Sequence, residues 1–96
     1  MTYVHDAEKF GTRALENATK SQNNDRVVQM QFYLACVKAR EIQLRSTDAH
    51  FQNPTQSERC DAVEAISLAW ATLRSIENLD MSLYDTMAME TLSQLR

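Results

Sequence analysis

The sequence predicts an all-α fold, a small antiparallel helical bundle with three core helices and a C-terminal fourth helix. Three observations carry this. The 96 residues include one Gly (Gly11) and one Pro (Pro54), whereas a β-sandwich or barrel of this size draws on several tight turns rich in Gly, Pro, Asn and Asp. Four stretches repeat apolar residues at helical spacing. The breaks between them are short and polar, which favours antiparallel neighbours. The apolar share of 44% and charged share of 24% are ordinary for a globular chain. With no repeat, low-complexity segment or long linker, residues 1–96 read as a single helical domain.

The first helix is expected over residues 3–19, with apolar positions at Tyr3, Ala7, Phe10, Ala14 and Ala18. Thr2 can cap it, and Asp6 and Glu8 suit the positive end of its dipole. Residues 21–25 form a polar break, in which Asn24 or Asp25 can cap the second helix. That helix is expected over 26–45. Val28, Phe32, Ala35, Ala39 and Ile42 make one apolar line, and Met30, Tyr33, Leu34 and Val37 make another. A helix apolar on more than one face is the buried one. Its exposed strip is expected at Lys38, Glu41 and Arg45.

Residues 46–53 read as the main loop. The third helix is expected from Pro54 to Glu77, with Asn53 as N-cap, Pro54 at the first helical position and Gln56 as a capping-box partner. Its stripe is Ala62, Ile66, Ala69, Leu73 and Ile76, widened by Val63 and Trp70. Trp70 is thus expected in the core. Glu58, Asp61 and Glu64 are expected on a solvated outer face. Asn78, Leu79 and Asp80 break the pattern, and Asp80 or Ser82 can cap a fourth helix over 81–95. Met81, Tyr84, Ala88, Leu92 and Leu95 form its stripe.

The net charge is −3, which argues against general nucleic-acid binding. Residues 1–45 hold seven basic and five acidic side chains, and residues 46–96 hold three and eight. Either two hairpins of opposite sign pack together, or the second half presents an acidic face that selects a basic partner. A near absence of Gly excludes a glycine-rich phosphate loop. The longest fully apolar run is Phe32 to Val37, far short of the roughly 20 residues that span a bilayer. No apolar leader region follows the first residues. Cys36 and Cys60 form no C-x-x-C pair. The expectation is a cytoplasmic chain with reduced thiols and no membrane insertion.

No catalytic, metal or cofactor site is expected. A thiol nucleophile needs a base within reach, and Cys36 lies inside the longest apolar run. His5, Asp6 and Glu8 cluster in sequence without a second His or Cys at helical spacing, and His50 is alone in a loop. Two features point to protein contacts instead. Ala7, Gly11, Ala14 and Ala18 form a line of small residues that lets another helix approach closely. Gly11 costs about 1 kcal/mol of helix propensity, so a contact is expected there, either with a neighbouring helix of the bundle or with a partner's helix. The fourth helix carries Leu83, Tyr84, Met87 and Met89 beside its stripe. Met adapts to varied surfaces, so this strip either completes the core or forms a partner site or a homodimer contact.

The Ala-rich first helix, the break near Asn24 and Tyr33-x-x-Cys36-Val37 resemble MIT domains, three-helix modules that bind helical tails. Cys36 departs from that family's usual Ala, Gln29 from a small residue, and a long 46–53 loop and a fourth helix are added. Ser82 to Met87 is similar to a stretch of flagellin-export chaperones, whose chains are longer. The sequence is assigned to neither family. Both resemblances imply a helical module that holds peptides. The expected function is a non-enzymatic protein–protein interaction module, an adaptor, regulator or small chaperone using helix-in-groove contacts. The alternatives are a small helical enzyme or metal-binding bundle, and a dimeric regulator of nucleic-acid-associated machinery.

Overall fold

The computed structural model describes residues 2–48, 50 and 52–95; the side chains of residues 2 and 3 fall outside that description. The expected cap at Thr2 and stripe position at Tyr3 therefore lie outside the described side chains, as do Ala49 and Phe51 of the loop. Four helices follow in order: α1 Thr2–Lys20, α2 Asn24–Thr47, α3 Gln56–Leu73 and α4 Ser82–Leu95. Among the described residues there is no strand.

α1 ends in a Schellman turn. The Asn23 amide donates to the Ala18 carbonyl at 2.9 Å and the Gln22 amide to Thr19 at 3.1 Å, with Gln22 at φ 58°. Asn23 then caps α2, its side chain accepting from the Arg26 amide. The cap is thus one or two residues earlier than Asn24 or Asp25, because Asn23 also closes the preceding turn. α2 runs two residues further than its apolar pattern, with Ser46 and Thr47 hydroxyls returning to carbonyls of their own helix.

α3 does not start at Pro54. Thr55 is its N-cap, and its partner in a reciprocal capping box is Glu58. Glu58 can serve because Arg45 of α2 donates to its carboxylate at 2.6 Å. This pair also removes Arg45 from the exposed strip, while the Glu58 side chain stays 36% exposed. α3 ends at Leu73, short of Glu77. The amides of Arg74, Ser75 and Ile76 reach back only three residues, tightening the last turn, and Asn78 at φ 64° redirects the chain. Asp80 accepts from the Ser82 amide at 3.0 Å and opens α4.

The core belongs to α2, α3 and α4. Phe32, Ala39 and Ile42 meet Ala62, Ile66 and Leu73 and, from α4, Ala88, Leu92 and Leu95. Arg45–Glu58 and Arg59–Ser46 contacts join the end of α2 to the start of α3, so the two are antiparallel. Trp70 reaches Asp85 while Val63 shares a groove with Leu95, so α3 and α4 are antiparallel too. Tyr84 packs edge-on against Phe32 at 5.6 Å between ring centroids. The fourth helix therefore closes the bundle. α1 stands apart: among the described residues it packs on α2 alone, burying Val4, Gly11 and Ala18. Phe10, expected on that face, is 62% exposed, with its ring in an edge-to-face arrangement with Tyr33. The two apolar lines of α2 are thus used on two sides, one by α1 and one by α3 and α4.

Candidate interaction surface

The expected partner-binding residues separate into three groups. On α1, Gly11 and Ala18 are buried and Ala7 and Ala14 half-buried. A Cβ built at Gly11 would lie 2.6 Å from Leu34 Cδ2 and 2.9 Å from the Tyr33 ring. At this point α2 of the same chain fills the small-residue line, so it offers no open groove. The outer face of α1, from His5 and Glu8 to Arg13 and Glu16, is polar.

On α4 the expected strip divides. Tyr84 turns inward onto Phe32, and Met87 packs against the core. Leu83 and Met89 remain outside, 66% and 57% exposed. They are six positions apart, so at 3.6 residues per turn they point roughly 120° away from each other. Leu83 shares its flank with Met87, four residues on. Met89 lies on the α3 side of the helix and lines a groove of about 460 Å3 with Trp70, Leu92 and Ser93.

Trp70 is half-buried rather than fully enclosed. Its indole N–H donates to Asp85 Oδ1 at 2.7 Å, and Arg74 donates to the same oxygen at 3.4 Å. The Arg74 guanidinium also lies over the ring, 4.9 Å from its centroid. Arg74, one turn after Trp70, and Asp85 of α4 thus hold the ring in place from two sides. The Trp70–Arg74 spacing is visible in the sequence as an i, i+4 pair. Asp85 is not, because its contact crosses fifteen residues.

A larger depression of about 730 Å3 lies where α4 ends beside the start of α3, lined by Gln56, Arg59, Cys60, Val63, Glu64, Gln94 and Leu95. Its rim is amide and charged side chain, and only Val63 and Leu95 give it an aliphatic floor. The smaller groove differs in having an oriented indole and a thioether among its walls.

The chemistry available elsewhere is limited. Burial pushes the Cys36 thiol above its ordinary range, with Thr91 opposing, so Cys36 is protonated at neutral pH and a poor nucleophile. No hydrogen bond joins either histidine to either cysteine among the described residues. His5 meets Glu8 at 3.9 Å on an open surface. Among the described residues no three His, Cys, Asp or Glu side chains converge on a common point. No helix there is long and apolar enough to cross a membrane.

Fold and surface together define a small all-α bundle with an aromatic-walled groove between its last two helices. Compared with known protein families, curated proteins and solved structures, the chain has no match.

Proposed function

We propose that this chain is a non-enzymatic protein-interaction module whose docking site is the α3–α4 groove at Trp70 and Met89. Its partner is a helical segment with apolar side chains and a basic flank. The carrying observation is the oriented Trp70 ring beside an exposed Met89. Trp in a shallow apolar pocket is the residue type that most often dominates binding energy, and Met accommodates partner side chains of differing shape. The basic flank is chosen to match the acidic excess of residues 46–96, eight acidic side chains against three basic ones. Asp61, Glu64 and Glu90 are exposed on α3 and α4. A cytoplasmic setting suits the two free thiols.

The test compares tagged wild-type protein with Met89→Glu and Leu83→Glu. Both changes keep a good helix former at an exposed site, and they probe opposite flanks of α4. Met89→Glu is expected to weaken capture of a partner by roughly 2 kcal/mol, about thirtyfold, while Leu83→Glu leaves it unchanged. Adding a synthetic cationic amphipathic helix should shift Trp70 fluorescence in wild type and not in Met89→Glu. Equal binding by all three proteins would exclude the groove.

A further inference from the structure

Among the described residues two non-glycines hold a positive φ, Gln22 at 58° and Asn78 at 64°. Asn adopts this conformation readily because its short side chain bonds locally, whereas Gln has no such advantage. Gln22 occupies the position after a helix where Gly is usual. The hinge Ser21–Gln22–Asn23 contains no Gly or Pro, so it lacks the two residues that most oppose a continuous helix. The turn is held by its Schellman bonds, by the Asn23 cap on the Arg26 amide and by the packing of α1 on α2. Among the described residues α1 packs on no other helix, and the shared core contains none of its residues. Opening the hinge therefore breaks one interface and leaves the core whole.

We infer that the chain forms a dimer by exchanging α1 with a second copy of itself, each hinge straightening into a helix continuous from α1 into α2. The seam around Gly11, Tyr33 and Leu34 is remade between chains with the same contacts. The left-handed Gln22 and the two facing helix ends, with their unpaired backbone groups, disappear from both chains. A short hinge under strain is the arrangement that favours such an exchange. The resulting helix over residues 2–47 would be about 70 Å long at 1.5 Å per residue, against a longest extent of 42 Å for the closed chain.

The experiment is sedimentation of the full chain from about 10 μM to 1 mM, with amide exchange followed by NMR, for wild type, Gln22→Val and Gln22→Gly. A β-branched residue resists positive φ and Gly accepts it. Gln22→Val should tighten dimerisation by about tenfold or more and Gln22→Gly should weaken it similarly. The amides of Asn24 and Asp25 donate to no backbone carbonyl in the closed form. They should gain protection in the dimer, where Lys20 and Ser21 carbonyls become available. A dimer that leaves these two amides unprotected, or a helical Gln22→Val protein that stays monomeric throughout, would overturn the exchange. Neither outcome bears on the Trp70 groove, which α1 does not touch.

Discussion

Two packed regions share α2, and they are built from different side chains. On one side, α1 meets α2 through Val4, Gly11 and Ala18, with Ala7 and Ala14 at the margin. On the other, α3 and α4 meet α2 through Phe32, Ile42, Ile66, Leu73 and Leu92. Each large side chain in the second region contributes roughly 1.5–3 kcal/mol on burial; an alanine contributes far less. The first region combines close backbone approach at Gly11 with Val4 and, from α2, Tyr33 and Leu34, and leans more on weak dispersion contacts. The number of contacts along a seam therefore says little about the free energy of separating it. We expect the two regions to differ in cooperativity, with α1 opening at lower cost than the three-helix core.

The largest effect tests the core. Ile66 is fully buried, and Ile66→Ala should cost roughly 2–5 kcal/mol, a large part of the roughly 5–15 kcal/mol typical of whole domains. Chemical denaturation should show one transition at lower denaturant, with α2, α3 and α4 lost together. A change below about 1 kcal/mol would break the comparison from the core side.

Trp70 sits at the edge of that core. A fully enclosed Trp replaced by Ala would cost roughly 3–5 kcal/mol. Half-burial reduces this, and Trp70→Ala should cost about 2 kcal/mol through lost area and the orphaned Asp85 contact. A thermal melt displaced by as much as that of Ile66→Ala would place Trp70 in the core proper and weaken its role as a groove wall.

Gly11→Leu tests the seam directly. Even a Cβ there meets Leu34 and Tyr33 too closely, so the larger side chain should overpack by roughly 1–3 kcal/mol, offset by about 1 kcal/mol of helix propensity. Amide protection should fall along α1 and persist in α3. Uniform loss across all four helices would show one cooperative unit and erase the distinction.

The smallest effect concerns the clasp that closes the α2–α3 end. Hydrogen bonding from Arg45 holds the Glu58 carboxyl below its ordinary value of 4.5, with the Thr55 amide assisting. A depressed folded pKa means that the stabilisation is present above the unfolded value and is lost as pH falls through the folded one. Acidification below about pH 4.5 should therefore destabilise wild type slightly more than Glu58→Gln. Parallel stability curves for the two proteins would show that the clasp adds nothing beyond capping α3.

Much of the fold was legible because it depends on local periodicity. Ala62, Ile66, Ala69 and Leu73 follow one face of α3, Ile76 continues the line just past its end, and all five are buried or packed against the core. The double apolar face of α2 correctly marked the helix that others surround. The candidate site was less legible. Met89 stood out by composition, but composition could not separate it from Met87, which packs inward. Capping was recognised and placed two residues early, since Asn53, Pro54 and Gln56 satisfy the local pattern as well as Thr55 and Glu58 do. Arg45, thirteen residues from Glu58, decides between them.

The sequence by itself determined four amphipathic segments, the polar breaks between them and the absence of strand-forming turns, because these follow from side-chain spacing over a few residues. Only the tertiary structure decided which helix stands apart. The small-residue line of α1 suits an internal neighbour and a foreign helix equally well, and the choice fell to α2, whose Tyr33 and Leu34 cover Gly11. It likewise decided that Met87 faces in and Met89 out, because two residues on one helix differ in burial according to where the neighbouring helices lie. That placement depends on contacts such as Phe32 with Tyr84 and Trp70 with Asp85, which join residues distant in the chain and have no local signature.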